Sequence, residues 1–292
     1  MRRSSRIVSI YRSLDGRNEI QRWCLSRLDE WPVRHDRRTV EAAGVPTHVV
    51  TAGTGAATAV FVAGTNFNAA TSLPIATALV TTGYRVVLPD VPGQPGLSSD
   101  ERELSGGRSS WYGTWLRSVL EQVSEAPAVV VGHSFGATIA LSCSSPRIGR
   151  LVLVSPGGLT RLRLTPALLA AFARWSIRPG TASSARLLGA MHAPDHRPRS
   201  ALVDWMTLVG RHSRSSGAPD AVELPARAVN RLVLSGEEDV FLPPRRLAAA
   251  VRRSLDTELG VIAGAGHLVV EEHPEYLASL IARQHTPGGG AR

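Results

Sequence analysis

The sequence contains no lysine: all 33 of its Lys+Arg residues are arginine, against 24 Asp+Glu, for a formal net charge of +9. We read the absence as a bias of composition. Ten arginines fall in the first 40 residues and the others are scattered. No basic run is interleaved with aromatic residues, which make up only 5% of the chain. The excess charge therefore reads as a solvated surface rather than a nucleic-acid interface. Cysteine is also scarce. Cys24 and Cys143 form neither a metal-like nor a disulfide-framework spacing, and Cys143 sits on a segment that reads as a buried helix, where packing is its role. No apolar run approaches the roughly 18 residues of a membrane span. The N-terminal apolar run stops at Arg12, short of the apolar region of a signal peptide. No nucleotide, flavin or metal motif occurs. These absences set the expectation of a cytoplasmic, soluble enzyme or binding protein without a cofactor.

What is present is a chain of 292 residues, 43% hydrophobic, long enough to bury a large core as one domain or as one domain with an insertion. Residues 1–45 read as an N-terminal helical extension. In "EIQRWCLSRLDEW" the residues Ile20, Trp23, Leu28 and Trp31 recur at helical spacing, a stripe that docks on the domain that follows, and Pro32 ends the helix. From 46 to 157 short Val- and Leu-rich runs alternate with helical ones: "THVVTAG", "TAVFVAG", "LPIATALVTTG", "YRVVLPD", "SSWYGTWLRSVLEQV", "PAVVVGHS", "FGATIALSCSS", "RLVLVSP". Strands apolar on both faces belong in a sheet covered on both sides by helices, which makes the class α/β with a mostly parallel sheet. From 158 to 227 the alternation lapses into three helix-like pieces separated by turn-rich segments. It returns over 228–285, and 286–292 reads as a mobile tail. The simplest organisation is a helical insertion within one α/β domain.

One stretch carries chemistry. "VVVGHSFGATIA" places Ser134 where a strand turns straight into a helix, between Gly132 and Gly136. Such a turn holds the serine in a strained backbone conformation and needs glycine on both sides, because a side chain there would strike the neighbouring strand or helix. It lifts the hydroxyl out at the carboxyl end of the sheet, against the positive end of the next helix. A serine hydroxyl needs a base, and the base needs a carboxylate to orient it. "LVLSGEEDVFLPP" offers Glu237, Glu238 and Asp239 after one strand, and "VIAGAGHLVVEEHP" offers His267 after the next.

Four blocks in order, "LPDVPGQPGLSS", "GHSFG", "GEEDVFLPP" and "GAGHLVVEEHP", are similar to those of the α/β-hydrolase superfamily. The resemblance runs from about Trp31 to Arg283, and "DEWPVRHDRRTVEAAGVPTHVVTAG" resembles the entrance segment of a bacterial carboxylesterase group. It implies the α/β-hydrolase fold, a mostly parallel central sheet flanked by helices, with a helical cap. By position it makes Ser134 the nucleophile, His267 the base and then acid, and Asp239 the orienting carboxylate, with Glu237 and Glu238 as rivals. An oxyanion hole in this family takes one backbone N–H from the residue after the nucleophile, here Phe135, and one from the loop after an earlier strand. There the family usually has His-Gly; this chain has Ala63-Gly64-Thr65, and the Thr65 amide is the candidate. Pro95 departs from the family's shorter Gly-rich turn and is given a structural role.

Other histidines and aromatics weigh less. "HAPDH", His192 to His196, suggests a metal motif, but that motif needs a helix, which Pro194 breaks, and Asp195 replaces its Glu. His133 is expected to be a packing or polar-wall residue, and His273 to start the last helix. Phe172, Trp175, Trp205 and Met206 could line an acyl pocket, though each reads first as core of the insertion. The resemblance thus implies a serine hydrolase acting on small-molecule carboxylic esters. A thioesterase or lactonase using the same three residues is the close alternative. A ligand-binding protein that keeps the fold without turnover is the alternative of another class.

Overall fold

A computed structural model of the chain describes residues 9–100, 108–214 and 229–283. In chain order it comprises α1 (Leu14–Asp29), β1 (His35–Ala42), β2 (Val45–Ala52), β3 (Ala57–Val62), α2 (Leu73–Thr81), β4 (Tyr84–Pro89), α3 (Arg108–Val123), β5 (Ala128–His133), α4 (Phe135–Ser142) and β6 (Ile148–Val154). It continues through α5 (Pro166–Ile177), α6 (Thr181–Gly189), α7 (Ser200–His212), β7 (Asn230–Gly236), α8 (Pro244–Leu255), β8 (Leu259–Ile262), α9 (Val269–Glu272) and α10 (Pro274–Arg283). The tail over 286–292 and the stretch 215–227 of the predicted insertion lie outside the described residues, as do the first eight residues.

One eight-stranded sheet has the order β1-β2-β4-β3-β5-β6-β7-β8. Strands from β4 to β8 pair in parallel, while β2 is antiparallel to both β1 and β4. The central strand β5 is buried at every position, as the Val-rich run requires when helices cover both faces. Three helices, α5 to α7, enter between β6 and β7.

The sheet begins earlier than the sequence reading placed it. β1 lies inside the segment taken as a helical extension, so residues 35–42 are strand. Only Val40 and Ala42 of this edge strand are buried. Its Arg37, Arg38 and Glu41 face solvent, so it carries almost none of the apolar signal that marks the inner strands. The helix before it behaves as expected. Ser13 caps α1 by accepting from the Gly16 amide, and Ile20, Cys24 and Leu28 form its buried stripe. Burying such side chains contributes roughly 1.5–3 kcal/mol each. Trp31 is buried and donates its indole N–H to Thr77 of α2 at 2.9 Å. Trp23 stacks on Trp205 of α7 with ring centroids 4.8 Å apart.

Candidate active site

The turn between β5 and α4 holds Ser134 at φ 53°, ψ −110°, a backbone region that costs a non-glycine residue about 1–3 kcal/mol. Both flanking glycines are sterically required. A Cβ on Gly132 would lie 2.5 Å from the Gly136 carbonyl oxygen, and one on Gly136 only 2.0 Å from that of Val62. The strain is held by main-chain bonds: the Ser134 amide donates to Val154 O at 2.9 Å, while the amides of Ala137 and Gly157 donate to Ser134 O.

His267 faces this serine. The Ser134 hydroxyl donates to His267 Nε2 at 3.1 Å, and His267 Nδ1 donates to Asp239 at 2.9 Å to Oδ2 and 3.1 Å to Oδ1. Asp239 is buried, and its Oδ1 also accepts the amides of Phe241 and Leu242 at 3.0 and 2.9 Å. Burial by itself would raise its pKa. The neighbouring imidazole, with the Leu242 amide adding to it, outweighs burial and holds the carboxyl down at about 2. The two rivals point elsewhere: Glu237 and Glu238 are exposed, and Glu237 accepts the Gly264 amide.

The imidazole's main chain is fixed from two sides. The His267 amide donates to Met191 O, just beyond α6, at 2.8 Å. His133 Nε2 donates to the His267 carbonyl at 2.9 Å. Burial, then the nearby His267, pushes the His133 pKa down to about 3, so this ring is a neutral donor. Phe241 packs edge-on against the His267 ring with centroids 4.8 Å apart, and Phe172 of α5 packs on Phe241. Sequence reasoning treated His133 as wall and passed over Phe241. A side chain that bonds a main-chain oxygen 134 positions away leaves no local pattern to read.

Of the two candidate amides, that of Phe135 directly follows the serine. Phe135 opens α4, where the first N–H groups have no intrahelical acceptor. Gly64, the residue before Thr65, abuts the elbow so closely that a Cβ there would lie 3.4 Å from Ser134 Cβ. Among the described residues, neither the Thr65 nor the Phe135 amide has a hydrogen-bond acceptor. Pro95 is buried and its carbonyl accepts from Asn68 Nδ2. Asp90, in the same turn, accepts the amides of Ala69 and Leu97 and so ties the loop after β3 to the loop after β4.

Trp205 and Met206 are buried, in keeping with a core role. His192 Nδ1 donates to Leu188 O, and His273 directly precedes α10. Among the described residues no group of three His, Cys, Asp or Glu could hold a metal ion, and no helix is long and apolar enough to cross a membrane.

The family model described as "Alpha/beta hydrolase family" matches residues 59–280, well over half of the chain. A 2-hydroxy-6-oxononadienedioate/2-hydroxy-6-oxononatrienedioate hydrolase of Escherichia coli is 39% identical over 82 residues, 27% of this chain. In that match the chain spans only 28% of the length of the curated relative. Among solved structures, the carboxylesterase CesB of Bacillus subtilis superposes with a TM-score of 0.76 at 16% identity, covering 94% of this chain and 100% of that one. The naproxen esterase of Bacillus subtilis gives 0.73 at 20% identity, covering 93% and 99%. At these identities the two structures establish the fold.

Proposed function

Because the chain belongs to the alpha/beta hydrolase family, we propose that it is a serine hydrolase of carboxylic esters, with Ser134 as nucleophile, His267 as base and Asp239 as orienting acid. The observation that carries this reading is the relay itself: a hydroxyl at a strained elbow, 3.1 Å from an imidazole nitrogen whose other nitrogen lies 2.9 Å from a buried carboxylate.

Ser134 Oγ attacks the acyl carbon while its proton passes to His267 Nε2. Asp239 fixes the tautomer that leaves Nε2 free to accept and stabilises the imidazolium. The carbonyl oxygen becomes an oxyanion facing the amides of Thr65 and Phe135. Each such donor is worth about 3 kcal/mol of barrier. The C–O bond to the alcohol then breaks, and the alcohol leaves with the proton from Nε2. Water, deprotonated by the same nitrogen, attacks the acyl-enzyme, releasing the acid and restoring the serine. That two esterases share the fold over nearly the whole chain supports an ester as substrate.

Rates on oxoester, thioester and lactone forms of one acyl group test the proposal. Turnover of the oxoester at least as fast as the others is expected. A strong preference for thioester or lactone would reassign the substrate class. Tight retention of an unhydrolysed ligand, with no turnover of any form, would replace the enzyme by a binding protein.

A further inference from the structure

The loop that carries the Thr65 amide lacks the family's usual His-Gly, and its geometry rests on two side chains from outside it. Gly64 to Phe67 forms a turn closed by the Phe67 amide donating to Gly64 O at 3.1 Å. Its third residue, Asn66, stands at φ 66°, the left-handed region that L residues rarely enter. Both main-chain groups of Asn66 are claimed. Gln94 Oε1 accepts its N–H at 2.9 Å, and Trp205 Nε1 donates to its carbonyl at 2.7 Å. Gln94 and Trp205 are both buried. Gln94 lies in the loop after β4, whereas Trp205 lies on α7, in the helices inserted between β6 and β7.

The consequence for the Thr65 amide follows from peptide planarity. Gly64 C=O and Thr65 N–H belong to one planar trans unit, since the described chain has no cis peptide bond, and in such a unit they point in opposite directions. Whatever holds Gly64 O toward the Phe67 amide therefore aims the Thr65 N–H out of the turn. The turn stays closed only while the peptides on either side of Asn66 keep their orientation, and those are the two peptides that Gln94 and Trp205 bind.

We infer that Gln94 and Trp205 are positioning residues that clamp Asn66 and thereby aim the Thr65 amide at the oxyanion. The inference rests on the hydrolase reading above. It makes the inserted helix α7 part of the support of the reacting centre, and α1 as well, because Trp23 stacks on the far side of Trp205. Neither residue bonds Ser134, His267 or Asp239; both act through Asn66, so their loss is expected in kcat rather than in KM.

The test uses a fluorophosphonate probe, whose reaction with a serine draws on the same oxyanion donors, with ester kcat and KM as a second readout. Trp205→Phe keeps an aromatic ring to pack on Trp23 but has no N–H, and Gln94→Met keeps length without the acceptor. Each variant is expected to lower the labelling rate and kcat by about tenfold or more, less than the loss of a whole oxyanion donor, with KM within about twofold. The double variant should fall short of the product of the two effects, because both act on one turn. Labelling and kcat at wild-type levels in both variants would overturn the clamp, as would losses that appear in KM instead. A wild-type protein that the probe leaves unlabelled would overturn the hydrolase reading itself.

Discussion

The ring of His133 donates through Nε2 to the main-chain oxygen of His267 at 2.9 Å. The residue before the candidate nucleophile thus grips the backbone of the candidate base, so Ser134 and His267 are tied by a bond besides the one between their side chains. Burial keeps the donating ring neutral, pushing the His133 pKa down to about 3.

That burial has a pH signature. Between its ordinary 6.5 and about 3, His133 holds a proton in the unfolded chain and not in the folded one. Its stabilisation is therefore complete above pH 6.5 and is lost as pH falls, at up to about 1.4 kcal/mol per pH unit. His48 and His192 are likewise lowered by burial and act with the same sign. Asp239, held at about 2, keeps its full stabilisation above its ordinary 3.8 and loses it only as pH falls below that value. Urea unfolding from pH 7 to 4.5 should show stability falling in the wild type and falling less steeply in His133→Gln. Equal slopes would contradict a neutral buried His133.

Ser134 is strained for a purpose that glycine would not need. Ser134→Gly should be inactive yet more stable by about 1 kcal/mol, since glycine accepts positive φ without penalty. Ser134→Ala keeps the strain and should lose on the order of 10⁶ in turnover if the three residues act as a unit. Thermal unfolding beside ester kinetics checks both, and a less stable Ser134→Gly would contradict the strain argument.

The three neighbouring carboxylates should separate cleanly. Asp239→Asn leaves the shape but loses the charge that orients His267, and kcat should drop by roughly 10⁴. Glu237→Gln and Glu238→Gln, both on the exposed side of the turn, should stay within about twofold, as surface changes do. A larger loss in either Glu variant than in Asp239→Asn would reassign the acid.

Gly136→Ala should damage the fold as well as the site. The added carbon would sit 2.0 Å from Val62 O, main chain that cannot move without shifting β3 and the loop after it. A loss of about 3 kcal/mol or more is expected. Denaturant unfolding of the variant measures it, and a stability within 1 kcal/mol of wild type would show that the elbow has slack.

What could be read from the sequence divides along physical lines. Ser134 and His267 were legible as candidates because each sits in a turn whose chemistry constrains its immediate neighbours, glycines beside the serine and small residues before the histidine, whereas the strand end alone left Glu237, Glu238 and Asp239 open and only the family resemblance picked out Asp239. The inner strands were legible because burial on both faces writes a continuous apolar run. β1 was not, since an edge strand with Arg37, Arg38 and Glu41 toward water looks like a loop or a helix end. Nor were Gln94 and Trp205, whose bonds to Asn66 span 28 and 139 positions and obey no periodicity. The sequence reading placed Trp205 in the core of the insertion, where it is buried, but the burial of the ring did not announce what its N–H would hold.

The central claim is that an acyl group passes through Ser134. Rapid mixing with an activated ester, acid quench and mass analysis of the peptides tests it most directly. The account predicts a transient mass increase equal to the acyl group, confined to the peptide containing Ser134, rising before steady state and persisting longer when His267 is replaced by alanine. Steady ester turnover with no acylated Ser134, or with the acyl group on another residue, would contradict it.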